Sequence, residues 1–245
     1  MSIGREYMKA TERSKLGPSD QQQGKPQPPL FRPYDGPGPI VDLPSPMTLP
    51  DHTVNFRTLV EDRQTWRRYA ETPLTQQALS YLLWTTQGIK AELEHSTRRT
   101  VPSAGARHPF ETYLLINNVE GLTPGLYFFL AREHKLGPVA ADPGITGRIM
   151  ATCLDQKQIA VSAATFIWVA DSYRTTWRYG DRGYRYMHLD AGHVCQNLYL
   201  AAESIDCGVC AIAAFKDDEI NPLLHLDGEE QFVIYLATVG PKQQR

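Results

Sequence analysis

Pro102-Ser103-Ala104-Gly105-Ala106-Arg107-His108-Pro109 leads into Thr112-Tyr113-Leu114-Leu115-Ile116, a loop of small residues feeding a strand-like apolar run. Positions Pro102 to Ala106 carry nothing larger than a hydroxyl or a compact ring. Main chain of this kind can come close to a flat ligand and aim its amides at it. Gly105 supplies backbone freedom, and Pro102 and Pro109 stiffen the approach. The same eight residues would also serve as an ordinary tight loop before a strand; the rest of the chain decides between the two.

Upstream, Arg63-Gln64-Thr65-Trp66-Arg67-Arg68-Tyr69 follows a short helical pattern ending near Glu61. Arg63, Thr65 and Arg67 alternate, so an extended segment turns all three to one side. Two guanidiniums and a hydroxyl suit a phosphate, because each Arg offers a planar fork of donors. A solvated basic turn is the plainer alternative. Downstream, Gly208 to Asp217 reads as a buried strand running into a helix near Asp217. Ala211, Ala213 and Ala214 leave backbone N–H groups uncovered at the strand end, although a plain core strand has the same composition.

In this order the stretches resemble the flavin-dependent nitroreductase superfamily, most closely its SagB-type dehydrogenases. The resemblance covers residues 51 to 240 and includes Leu79-Ser80-Tyr81-Leu82-Leu83-Trp84 with Gly88, and Gly125-Leu126-Tyr127. Further matches are Tyr179-Gly180-Asp181-Arg182-Gly183-Tyr184-Arg185-Tyr186, Asp190-Ala191-Gly192-His193-x-x-Gln196-Asn197-Leu198-Tyr199, and Leu226-Asp227-Gly228-Glu229-Glu230. It implies a homodimer with two FMN molecules at the interface. The FMN phosphate would lie near Arg63 and Arg67, assisted by Thr65. Pro102, Ser103, Ala104 and Gly105 would lie against the isoalloxazine ring, with Arg107 near N1 and C2=O. The amide of Ala213 or Ala214 would face N5, at the end of the strand carrying Ala211 and Ile212. NAD(P)H is a possible electron donor, and the substrate would be a small molecule or a modified peptide.

SagB-type enzymes that oxidise azolines use a Lys-Tyr pair to handle protons. Here Tyr179 supplies the tyrosine, but Arg178 stands where the lysine is expected. Arginine stays protonated and cannot act as a base, so Tyr179 would take or relay the proton, with Arg178 assisting electrostatically. Two alternatives remain open: an NAD(P)H-dependent nitro or quinone reductase, and a non-catalytic dimeric scaffold in a peptide-modifying complex.

The 245 residues carry a formal net charge of −2, which offers no basic field for nucleic acid. The longest apolar run, Ile159 to Ala170, is interrupted by Ser162 and Thr165 and is too short to span a bilayer. Without a signal-like apolar start, a cytoplasmic chain is expected. Cys207-Gly208-Val209-Cys210 lacks a second paired cluster for zinc and sits where a helix gives way to a strand, so all four cysteines read as core residues.

Residues 1–50 hold ten of the eighteen prolines and predict an extended arm over the body or a partner, followed by one domain over 51–245. Helices are expected at 53–61, 75–88, 143–154, 184–205 and 216–224. Strands are expected at 111–117, 125–131, 163–170, 208–214 and 231–239. Without regular βαβ alternation the pattern predicts an α+β fold around a largely antiparallel sheet. Small residues on the long helix (Asp190, Ala191, Gly192, Ala201, Ala202) suit either packing within one subunit or contact with a twofold mate.

Overall fold

The computed structural model describes residues 2–49, 54–140 and 142–243. Residue 53, where the first helical pattern starts, and the first positions of the similarity at 51–53 lie outside the described residues. Seven strands form one sheet: β1 (Val41–Asp42), β4 (Phe110–Ile116), β5 (Gly125–Leu130), β6 (Lys135–Ala140), β7 (Ala164–Asp171), β8 (Cys207–Ile212) and β9 (Gln231–Pro241). Their order is β1-β6-β5-β4-β7-β9-β8, and every neighbouring pair is antiparallel. β2 (Ile89–Leu93) and β3 (Ser96–Arg99) make a separate hairpin. The helices are α1 (Ile3–Ala10), α2 (Phe56–Asp62), α3 (Gln76–Gln87), α4 (Ile145–Thr152), α5 (Gln158–Val161), α6 (Tyr173–Tyr179), α7 (Gly183–Glu203) and α8 (Asp217–Leu223).

The run Ala164-Thr-Phe-Ile-Trp-Val-Ala170 is apolar on both faces because β7 is central, with cores on either side. Phe166 and Trp168 join Leu79, Leu83 and Leu198 beneath α3 and α7. Ile167 and Val169 join Ile149, Ile159 and Ile220 beneath α4, α5 and α8. Thr75 opens α3 by accepting the Ala78 amide at 3.1 Å. The α+β, mostly antiparallel architecture is the expected one, and its main elements fall within a few residues of the predicted ranges.

Three parts differ from expectation. β8 stops at Ile212, so Ala213 and Ala214 lie just beyond the strand. β6 was not foreseen because Lys-Leu-Gly-Pro-Val-Ala reads as a loop; Pro138 is tolerated because little of β6's outer side is paired, β1 being only two residues long. The arm is not extended throughout, since Ile3 to Ala10 is helical. It is tied to the body by Arg182, whose Nη1 donates to the Thr11 carbonyl at 2.7 Å, and by Trp177, whose Nε1 donates to the Lys25 carbonyl at 3.0 Å. Most of the small residues on α7 serve the chain's own core: Asp190, Ala191, Ala201 and Ala202 are buried, whereas Gly192 is exposed.

Candidate active site

α2 ends at Asp62, and Arg63 caps it with extended backbone (φ −53°, ψ 119°). The chain then runs along the free edge of β8: Thr65 bridges Val209, and the Trp66 amide donates to the Val209 carbonyl at 2.8 Å. Gly208 permits this, because a Cβ there would lie 2.5 Å from Cβ and Cγ of Trp66. Tyr69 anchors the far end with its hydroxyl 2.7 Å from Thr238 Oγ1.

Tyr199 of α7 organises this corner. Its hydroxyl accepts the Ala211 amide at 3.0 Å, which leaves its own proton for Thr65 Oγ1 at 3.3 Å. The Arg63 guanidinium lies 5.2 Å above the Tyr199 ring. Arg67 reaches the Cys210 thiol, whose pKa burial holds above the ordinary thiol range despite that contact. Among the described residues neither Arg63 nor Arg67 makes an ion pair. Just beyond the end of β8, Ala213 and Ala214 are exposed, their amides have no backbone acceptor among the described residues, and the Ala214 carbonyl accepts from Gln156 Nε2 at 3.1 Å. This edge of the sheet therefore presents two guanidiniums without ion-pair partners among the described residues and a hydroxyl, with exposed Ala213 and Ala214 at the strand end, a donor set that fits a phosphate joined to a flat, hydrogen-bonding ring.

The loop from Pro102 to Pro109 sits elsewhere. Asp190 of α7, which is 4 % exposed, accepts from Ser103 Oγ at 2.5 Å and from the Ala104 amide at 3.2 Å. Burial raises the Asp190 carboxyl, and the Ser103 and Ala104 bonds oppose that rise. Ser103 Oγ also accepts the His108 amide at 2.9 Å. Gly105, Ala106 and His108 all take the left-handed region, with φ of 59°, 52° and 45°. Pro102 and Gly105 are exposed, Ser103 and Ala104 half-buried.

A Cβ on Gly105 would overlap the Tyr179 hydroxyl and come within 3.1 Å of Arg178 Cδ and Nε. The structure thus places the Arg178-Tyr179 pair directly on this loop. Arg107 points the other way. It is 3 % exposed, donates from Nε to the Arg174 carbonyl at 2.9 Å and stacks 5.0 Å from the Trp177 ring. Burial, together with Arg178 and Arg174, holds its pKa below the ordinary arginine range.

The predicted residues therefore form two groups. Arg63, Thr65 and Ala211 meet at Tyr199, with Arg67 at Cys210 of the same strand; Ile212 is buried in the core beneath α4, α5 and α8, and Ala213 and Ala214 follow it just beyond the strand end. Pro102, Ser103, Ala104, Gly105, Arg178 and Tyr179 gather around Asp190 and α6. Tyr199 follows Asp190 by nine residues on one helix, which is about half a turn around its axis and roughly 13 Å along it. The two groups thus lie on opposite flanks of α7. Sequence reading missed the organising roles of Asp190 and Tyr199, although both stand in the matched motif; an acid among small residues on a long helix was the available signal.

The four cysteines are buried free thiols, with Cys195 and Cys207 pushed up to about 12 by burial. Cys207 and Cys210 both belong to β8, and no metal-binding group occurs among the described residues. None of the helices among the described residues is long and apolar enough to cross a membrane.

A model of the Nitroreductase family matches residues 60–241. A Methanocaldococcus jannaschii protein named as a nitroreductase, MJ1384, is 34% identical over 195 residues, which cover 79% of this chain and 95% of that protein. The trifolitoxin-processing protein TfxB of Rhizobium leguminosarum bv. trifolii is 30% identical over 58% of this chain and 39% of its own length. Among solved structures, the E. coli microcin synthetase McbBCD complex with truncated pro-MccB17 bound matches with TM-score 0.61 and 20% identity, over 98% of this chain and 87% of the matched chain.

Proposed function

This chain belongs to the Nitroreductase family, and from that premise we propose that it works as an FMN-dependent oxidoreductase of SagB type, acting on a small molecule or a modified peptide. The observation that carries this reading is the sheet edge around Tyr199: Arg63 and Arg67 without ion-pair partners among the described residues, Thr65 held by the Tyr199 hydroxyl, and exposed Ala213 and Ala214 just beyond β8. Arg63, Arg67 and Thr65 would hold the phosphate, and the Ala213 or Ala214 amide would donate to the ring. When bound, FMN supplies hydride transfer. The similarity to TfxB, a trifolitoxin-processing protein, supports a modified peptide as one substrate class.

The remaining groups orient substrate and handle protons. Asp190 fixes Ser103 and Ala104, which keeps a small-residue shelf open. Tyr179, set on Gly105, would pass a proton at its hydroxyl oxygen, with Arg178 as a fixed positive neighbour. Because shelf and phosphate corner flank α7 on opposite sides, a complete site would take the shelf from a second copy of the chain. Exposed Phe56 and Val60 on α2, with Leu189 on α7, supply apolar surface for such a dimer.

The test is the visible spectrum of the purified protein, followed by denaturation and identification of what is released. Oxidised-flavin bands with about one FMN per chain are expected. A colourless protein that refuses added FMN would leave a non-catalytic scaffold as the reading.

A further inference from the structure

A separate cavity of about 430 Å³ lies between the N-terminal arm and the start of α7, lined on the arm by Arg13 and on the body by Arg178, Tyr179, Arg182 and Tyr186. Three arginines line it, and no acidic residue does. The nearby acids are engaged elsewhere: Glu12 pairs with Lys15 at 2.8 Å, and Asp20 pairs with Lys25 at 2.9 Å while accepting from the Tyr173 hydroxyl. Asp181, in the same turn, belongs to the surroundings of Tyr7 and not to the cavity lining.

Arg182 is held in place by Thr11 and by the Tyr186 hydroxyl at 2.9 Å. Arg13 and Arg178 make no ion pair or side-chain hydrogen bond among the described residues; Arg178 only stacks on Tyr179, 5.8 Å from the ring centroid. The Tyr179 and Tyr186 rings meet edge to face at 4.8 Å, adding an aromatic wall. The volume lies within the range of small-ligand pockets, roughly 300–1,000 Å³, and well beyond the needs of one inorganic ion. Forked guanidiniums without counter-ions favour an oxyanion they can grip in pairs.

We propose that this cavity is an anion-recognition subsite: a carboxylate or phosphate on the substrate docks on Arg13, Arg178 and Arg182 while its apolar body lies on Tyr179 and Tyr186. The inference rests on the oxidoreductase reading for the word substrate, since Tyr179 separates this cavity from the Gly105 shelf and so brings the docked molecule beside the proton-handling hydroxyl. The arm thereby becomes part of the specificity machinery.

The test is calorimetric titration of the full-length protein with excess FMN, which occupies the Arg63–Arg67 corner. Phenyl phosphate, phenylacetate and the neutral phenylacetamide are the probes. At least one anion is expected to bind, with the amide far weaker, and preference between the anions identifies the oxyanion. Arg13→Gln should weaken anion binding about tenfold, the loss expected for one hydrogen bond to a charged group, without changing FMN occupancy. Equal binding of the amide, no binding of either anion, or an unchanged Kd in Arg13→Gln would overturn the subsite. Flavin occupancy, read from the spectrum of the same samples, tests the oxidoreductase reading separately: anion binding that Arg13→Gln weakens, in a protein that takes no FMN, keeps the site and removes the enzyme.

Discussion

His108 shows how one residue couples the loop to stability. It is 7 % exposed, and burial first, then the charge of Arg99, lowers its imidazole pKa to about 3. The unfolded chain takes that proton near the ordinary value of about 6.5. Between these values the unfolded state binds more protons than the folded one, so stability rises with pH across the window and is lost on acidification. The effect is on the order of a few kcal/mol. His108→Asn keeps a side chain that tolerates φ of 45° and removes the titration. Urea unfolding between pH 6.5 and 4 should show a shallower decline for this variant; an identical slope would assign the acid sensitivity to another group.

At the scale of elements, the loop after Val101 is a strained turn held by one carboxylate. Three left-handed residues sit within four positions, two of them not glycine, and Asp190 compensates through Ser103 and Ala104. Gly105→Ala adds a methyl group where the Tyr179 hydroxyl now lies. It should lower unfolding free energy by about 1–2 kcal/mol, the cost of a left-handed L-residue, and slow turnover by displacing Tyr179. Equal stability and turnover would show that neither the backbone conformation nor the Gly105–Tyr179 contact matters. The small composition of this loop was legible in the sequence, as was the alternation of Arg63, Thr65 and Arg67. The hairpin β2–β3 was not: Ser-Thr-Arg-Arg carries no apolar residue, and Ile-Lys-Ala-Glu-Leu is a short alternation of which all but Ile89 is exposed.

At the scale of the whole molecule, the placement of the two half-sites predicts their cooperation between copies. An Arg63→Ala chain keeps its shelf, and an Ala104→Trp chain keeps its phosphate corner while its shelf is blocked. Each variant alone should retain little FMN. Co-expressed and purified as a mixed dimer through two different tags, they should bind about one FMN per two chains, because one of the two composite sites is intact. No flavin in the mixed dimer would place each site within one chain.

The class of fold is written in the chain, since the periodicities of its apolar residues set helix and strand in order, and so are the chemical types of the candidate groups, in the small residues and the alternating arginines. Which of those groups meet is not written there. That was decided by α7, whose helical repeat turns Asp190 and Tyr199 to opposite flanks and carries the shelf to one side and the phosphate corner to the other. It was decided as well by the Trp66–Val209 bond at the sheet edge and by the arm folded over Arg178 and Arg182, contacts between residues so far apart in sequence that no local pattern records them.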